Sequence, residues 1–454
     1  MSEIVTRKPP AILRWTVLLF ISLAMMGNYY IYDSISPVAD LLIKELGFSQ
    51  SGVGLLNAIY SFPNIIMVLL GGIIIDRIGT KKSTLIFTIL IMFGSILTCI
   101  KGNLIIMASG RLIFGIGAES MIIAITTIVA RWFKGKQLSF AFGLNLTIAR
   151  IGSYLAQTSP GWASGMYNKG WQHPLFIAAF AGIFALITII VFYFIDYFSE
   201  RHYDLEKEGS QEKIEIKKLF SFSPSFWYIT LLCFVFYSAM FPFTSTIANM
   251  FFQHVHHASR GAAGFLVGVP ILTAMVFTPL FGLLSDYIGK RSFLMMLGSL
   301  TIVPVYLLLG YGTNFFTLIG LPPEVHIKFS LLSFDYFISP NQLIPMFFLG
   351  LAFSLVPAIM WPSVALIIES KRLGTAYGLM TMIQNFGLFG FNLLIGFANT
   401  RFNAGAQNPS GYLPSIWIFS ICGILGLFFA IMLKRSAGKS NEYNLDKPMK
   451  EIKV

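Results

Sequence analysis

With 454 residues, 56% hydrophobic and only 11% charged, the chain falls far short of the roughly 25% charged content of a soluble globular domain. Its net charge of +12 would point to nucleic acid in a soluble protein, but here the bases cluster between apolar runs and report topology. Composition therefore excludes a soluble enzyme or nucleic-acid binder and leaves a polytopic helical membrane protein.

Nearly charge-free runs reach the ~17–25 residues that a spanning helix needs. Twelve spans are expected, at about 14–40, 51–75, 83–101, 104–131, 137–159, 173–195, 226–252, 261–285, 292–311, 343–368, 374–398 and 411–433. Arg7, Lys8 and Arg14 precede the first, but no small-residue cleavage site follows it, so a retained first helix is expected rather than a signal peptide. With the N-terminus in the cytoplasm, 24 of the 32 Lys and Arg fall inside, six fall outside, and Arg111 and Arg150 lie within the membrane. The positive-inside rule then sets both termini in the cytoplasm. The polar stretch 196–218 divides the spans six and six.

The expected fold is an all-α membrane protein of twelve transmembrane helices in two six-helix halves. A cytoplasmic N-terminus covers 1–13, an N-terminal half 14–195, a linker 196–225, a C-terminal half 226–433 and a basic tail 434–454. Cys99, Cys233 and Cys422 sit one each on separate apolar segments, which reads as packing, not as a disulfide or metal framework. His254, His256 and His257 end the seventh span; a solvated loop is expected there over a metal site. Residues 312–342 form a long outer loop.

An internal repeat supports the two halves. Gly72, Asp76 and Gly79 recur as Gly282, Asp286 and Gly289, each at an offset of 210, with bases following (Arg77, Lys81 and Lys82; Lys290 and Arg291). Glycine lets helices approach closely or turn tightly, and an aspartate can attract a helix N-terminus. A second match aligns Phe142-Gly143-Leu144 with Tyr377-Gly378-Leu379, so that Arg150 corresponds to Asn385, beside Gln384. Parallel six-helix repeats are the plan of one large transporter class.

Two charges then stand out. Glu119 and Arg150 lie near the middles of the fourth and fifth spans, where an ionised group costs about 3 kcal/mol or more unless it is paired or faces water. A structural Glu119–Arg150 salt bridge would satisfy both. The alternative is a site for a zwitterion, with an ammonium at Glu119 and a carboxylate gripped by the forked Arg150 guanidinium. Tyr29, Tyr30, Tyr32 and Asp33, Tyr60, Ser61, Pro63 and Asn64, Tyr237, Phe241, Pro242 and Phe243, and Pro357, Trp361 and Pro362 are candidates to line the same cavity. Prolines there mark kinks whose freed backbone groups meet polar partners.

The Gly–Asp–Gly–basic loops resemble the cytoplasmic signature of the major facilitator superfamily, and Arg111, Gly115 and Gly117 resemble its second signature. That resemblance implies a gating role for Gly72, Asp76, Arg77, Gly282, Asp286 and Arg111. Residues 111–120, 132–136 and 149–153, with matches at Tyr29, Tyr32, Tyr60, Phe241, Trp361, Tyr377, Gln384 and Asn385, look like the branch that contains the lysosomal dipeptide carriers of animal cells. The resemblance implies a dipeptide uniporter that needs no cofactor, holding the two peptide termini at Glu119 and Arg150; Tyr29, Tyr32, Tyr60, Tyr237, Trp361, Gln384 and Asn385 are the further expected substrate-binding residues. The first helix lacks the Glu-x-x-Glu-Arg pattern of proton-coupled peptide carriers. The chain also lacks an acidic dileucine signal and a large lumenal loop for an accessory glycoprotein, so a monomer in a prokaryotic inner membrane is expected, with an endomembrane as the alternative. Rival functions are a proton-coupled carrier of another small anion or zwitterion, with Glu119 or Asp33 carrying the proton, and a sensor that binds without flux. An intramembrane enzyme lacks a nucleophile beside a base.

Overall fold

The computed structural model describes residues 9–133, 137–203, 222–312, 314–330, 334–369, 372–439 and 445–448. Residues 1–8, most of the 196–225 linker and most of the tail beyond 439 lie outside the described residues. Twelve long helical segments follow the expected spans: α1 Ala11–Asp33, α2 Gln50–Ile78, α3 Thr80–Ile100, α4 Leu104–Phe133, α5 Leu138–Trp162 and α6 Gln172–Ser199, then α7 Pro224–Pro242, α8 Arg260–Ile288, α9 Arg291–Tyr311, α10 Pro340–Ile367, α11 Leu373–Arg401 and α12 Leu413–Lys439. Every one except α5 belongs to a segment long and apolar enough to cross a membrane. Asn145, Thr147, Arg150, Gln157, Thr158 and Ser159 lower the hydropathy of α5.

Local chemistry sets the helix ends. Ser223 and Ser259 accept hydrogen bonds from the first-turn amides of Phe226 and Ala262, and Ser339 accepts one from Asn341. Pro224 and Pro340 follow their caps at the position where a missing N–H costs nothing. The two repeated turns are built on Gly79 at φ 82° and Gly289 at φ 64°, backbone conformations that a side chain would strain.

The chain forms two compact units, one of residues 1–34, 59–156 and 171–211, the other of 35–58, 157–170 and 212–454. In the first, small residues bring helices almost backbone to backbone. A Cβ on Gly94 would stand 2.5 Å from the Phe114 amide nitrogen, one on Gly117 2.5 Å from the Phe87 carbonyl oxygen, and one on Gly27 2.7 Å from that of Ala181. Thus α3 seats on α4, and α1 on α6, through the close approach that drives helix association in lipid.

In the second unit, α7 breaks after Pro242 into a π-helical turn, Phe243–Ile247, and resumes as Ala248–Val255. Phe243, Tyr306 and Phe419 pack around this turn with ring centroids 5.1–5.7 Å apart. Between α9 and α10, where the sequence shows only a long loop, the chain makes a short helix, Phe315–Leu318, and an antiparallel hairpin. Val325–Phe329 (β1) pairs with Phe334–Ile338 (β2). Phe334 is buried against Phe265, and Tyr336 lies over Gly161 and Gly261.

Candidate functional site

In the first unit, four helices, α1, α2, α4 and α5, meet around Tyr29 and Tyr60. Gly152, two residues after Arg150, lets α5 press on α1: a Cβ there would lie 2.0 Å from the Met26 carbonyl oxygen, less than one turn before Tyr29. Gly115 does the same for α4 against α2 at Tyr60 (2.3 Å), and Gly71 admits Ser120. The result sets Glu119 beside Tyr60, whose hydroxyl donates to Glu119 Oε1 at 3.5 Å. Tyr32 meets Tyr60 edge-on at 4.8 Å, and Tyr29 lies within electrostatic reach of Arg150, Glu119 and Asp33. Glu119, Arg150, Tyr29 and Tyr32 are half-buried. No Glu119–Arg150 ion pair is among the described contacts.

Arg111 takes a different place from the rest of its expected group. It is 1% exposed and donates to the carbonyl oxygens of Ile31 (3.0 Å) and Tyr32 (3.1 Å) at the end of α1. Its guanidinium lies over the Tyr60 and Phe114 rings. It thus satisfies carbonyls that a helix C-terminus leaves open, in the electrostatically favoured position for a cation. Asp76 lies sixteen residues beyond Tyr60 on α2, ~24 Å along that helix at ~1.5 Å per residue. Arg111 therefore braces the Tyr32–Tyr60 wall, far from the Asp76 loop.

In the second unit, the Trp361 indole donates to the Tyr237 hydroxyl at 2.9 Å, and the Tyr377 hydroxyl donates to the Trp361 carbonyl at 3.1 Å. Tyr237 stacks on Phe241 at 5.5 Å. Gln384 is half-buried, with Cys233 against its amide oxygen at 3.7 Å. Asn385 is 1% exposed and donates back to Thr381 of its own helix, so the counterpart of Arg150 in the repeat is turned inward. Tyr377, offered by the sequence as a repeat marker and a family match but not as a site residue, joins this cluster.

Asp76, Arg77 and Asp286 are all exposed, and Asp286 pairs with Arg291 at 3.0 Å. Gly282 has open space where its Cβ would be, so close helix approach is not its role in this state. In the first half, Lys81 and Arg131 converge on Asp196 and Glu200 at the end of α6, with Lys81–Glu200 at 2.5 Å and Arg131–Glu200 at 2.8 Å. Partial burial opposes ionisation of Glu200, but hydrogen bonds from Lys81 and Arg131 outweigh it and hold this carboxyl below the usual range.

A second polar belt, absent from the sequence reading, lies at the opposite end of the second unit from Asp286. The α7 π-turn frees carbonyls, and polar side chains meet them. Ser36 donates to Thr244 O at 2.8 Å and Asn57 to Ser245 O at 2.8 Å. Asn249 donates to Ser36 (2.9 Å) and Gln157 (3.0 Å), and Thr246 donates to Asn392. Arg260 clasps Asp40 through two nitrogens, at 2.5 and 3.1 Å. A Cβ on Gly54 would lie 2.6 Å from the Asn392 carbonyl. Segments from the first repeat (35–58 and 157–170) are thereby zipped to α7, α8 and α11. His254 and His256, expected in a solvated loop, are instead part-buried against the Tyr412 hydroxyl and the Leu309 carbonyl. Breaking the clasp should loosen this end: in Asp40→Ala, a cysteine placed at Ser36 is expected to react with a polar maleimide at least threefold faster than in the parent. Cys99, Cys233 and Cys422 are buried and give low background. An unchanged rate would show that the clasp is not part of a closure.

Twelve long helices, all but α5 in segments apolar enough to cross a membrane, and a glycine turn repeated in each half are the plan of a multi-pass membrane transporter rather than an enzyme. The chain belongs to the Major Facilitator Superfamily, whose model matches residues 18–389. It is 30% identical to the lysosomal dipeptide transporter MFSD1 of Danio rerio over 92% of this chain and 86% of that one. It is 29% identical to the protein of the same name in Homo sapiens over 95% and 88%. Among solved structures it shares the fold of a bacterial homologue of the human lysosomal transporter Spinster, inward-facing and unoccupied (TM-score 0.72, 14% identity, 96% and 99% coverage). The nucleoside transporter NupG also shares it (TM-score 0.67, 13% identity, 93% and 98% coverage).

Proposed function

We propose that the chain carries dipeptides by alternating access, reading the ammonium end with Glu119 and the carboxylate end with Arg150. What supports this reading is the pair itself: opposite charges, both half-buried within spans, with the Tyr60 hydroxyl on Glu119 and the Arg150 helix pressed onto α1 at Met26 through Gly152. The relatives named as dipeptide transporters support the substrate class. Tyr29, Tyr32 and Tyr60 wall the charged end. Tyr237, Trp361, Gln384 and Asn385, in the second unit, are assigned to the substrate's side chains as neutral polar and aromatic groups. The halves are residues 14–195 and 226–433, and the loops at Asp76 and Asp286, with Arg77, act as gates. Transport is read as uniport by a monomer in a prokaryotic inner membrane with both termini cytoplasmic.

The test is uptake of a labelled dipeptide panel into liposomes, with and without an imposed pH gradient. Uptake independent of the gradient is expected. Stimulation by the gradient would move the assignment to the proton-coupled rival, with Glu119 as proton carrier. Binding without any uptake would make the chain a sensor.

A further inference from the structure

The turn before α9 already holds a peptide, and it is the chain's own. Residues 445–448 (Leu-Asp-Lys-Pro) return to the α8–α9 loop. Asp446 accepts from the Ser292 amide through Oδ1 (2.7 Å) and from the Lys290 amide through its carbonyl (2.9 Å). Arg291 is 2% exposed and donates to the Leu445 carbonyl (3.1 Å), the Lys447 carbonyl (2.9 Å) and Asp286 Oδ1 (3.0 Å). Leu445 is buried in the hydrophobic core of the second unit. Gly289 has the Asp446 carbonyl oxygen 2.5 Å from where a Cβ would be, so the strap lies where any side chain would collide with it.

Helix α9 has no side-chain cap of its own. Its first-turn amides need an acceptor, and an anion is favoured there; Asp446 supplies both from 154 residues away. The repeat shows that this is a position with a purpose. At the offset of 210, Arg291 corresponds to Lys81. Lys81 is held by Asp196 and Glu200, from the end of α6 and the residue after it. Arg291 is held by the chain that follows α12, the sixth helix of its own half. In each repeat, the base after the glycine turn is clasped at or beyond the end of the sixth helix. In the first half the clasp is two carboxylates continuous with the helix; in the second it is a strap beyond residues 440–444.

We propose that the Gly289–Ser292 turn is a peptide-binding site for a short Leu-Asp segment, occupied in cis by residues 445–448. Its occupancy fixes Arg291 against Asp286 and so sets the second gate loop. A strap tied by one carboxylate, one buried leucine and three carbonyls can be displaced by a competing peptide, which the first repeat's clasp cannot.

The gating half rests on the transporter reading; the binding half does not, so they are tested separately. Hydrogen exchange of the full chain in nanodiscs needs no substrate. In Asp446→Ala and, independently, Leu445→Asp, exchange at Lys290 and Ser292 is expected to quicken at least tenfold. Thr80 and Ser83 in the first repeat, and the Lys447→Ala variant, should stay at the parent rate. Unchanged exchange at Ser292 in both variants overturns the site. A synthetic peptide of residues 443–448 at millimolar concentration, the range a flexible tether provides, should restore protection in Asp446→Ala; failure to restore it overturns a separable binding site. In dipeptide uptake, Asp446→Ala should lower the maximal rate at least threefold with the half-saturation constant within twofold, because a loop that no longer locks cannot complete closure. Faster exchange with an unaltered uptake rate overturns the control of the gate.

Discussion

Arg150→Ala should lower affinity for dipeptides with a free carboxylate roughly 100-fold and leave carboxyl-amidated dipeptides at the parent affinity. A charge-assisted, two-pronged bond away from bulk water contributes about 3 kcal/mol, and each ~1.4 kcal/mol is tenfold in Kd. Arg150→Lys keeps the charge and loses the fork, so an intermediate loss of about tenfold is expected. The mirror experiment uses Glu119→Gln, which should weaken free-amine dipeptides and spare N-acetylated ones. It also keeps a group that can accept from the Tyr60 hydroxyl, which lies 3.5 Å from Glu119 Oε1, so that wall should stand. Thermal shift or calorimetry on the four ligand–variant pairs reads the result. If Arg150→Ala lost amidated and free dipeptides equally, Arg150 would be a structural cation and the zwitterion reading would fail.

What the sequence disclosed follows from physics that acts locally. The spans were legible because apolar length is a property of the run itself, and the turns at Gly79 and Gly289 because only glycine suits their positive φ. The break at Pro242 was legible too, since a proline within a span interrupts the helix ladder; the carbonyls that Ser36 and Asn57 meet belong to the π-turn after it. Glu119 and Arg150 were conspicuous because charge in lipid is costly. The far-end belt was not legible: Ser36, Asn57, Gln157 and Asn249 are unremarkable polar residues until the fold joins positions about 90 to 210 apart. Arg111 went with the gate because its neighbours match a signature, and signatures record sequence context, not which carbonyls a guanidinium reaches. The strap escaped because Leu445 and Asp446 sit in a charged tail whose composition reads as solvated. The hairpin at 325–338 escaped because its few alternating residues are dwarfed by the helical signal on both sides.

The second large effect concerns a residue with no side chain. Gly152→Ala should cost about 1–3 kcal/mol of stability, the usual range for an overpacked contact, and should weaken dipeptide binding about tenfold or more. The added Cβ would sit 2.0 Å from the Met26 carbonyl oxygen, and that atom is backbone of α1, so no side-chain rotation relieves the clash. Relief needs α5 and α1 to part by an ångström or more. Arg150 is two residues from the clash on one helix and Tyr29 three residues from it on the other, so the two would separate together. A misplacement near 1 Å is enough to cost about 100-fold where geometry carries the interaction. Gly143→Ala is the control: it lies on the same helix with nothing within 4 Å of its Cβ position, and should leave melting temperature and Kd at the parent values. Valine at 152 adds a branched, stiff side chain and should abolish folded protein in detergent. Parent-like melting and parent-like Kd in Gly152→Ala would show that α1 and α5 are not in close contact in the working protein, and that Arg150 is positioned by something other than this crossing.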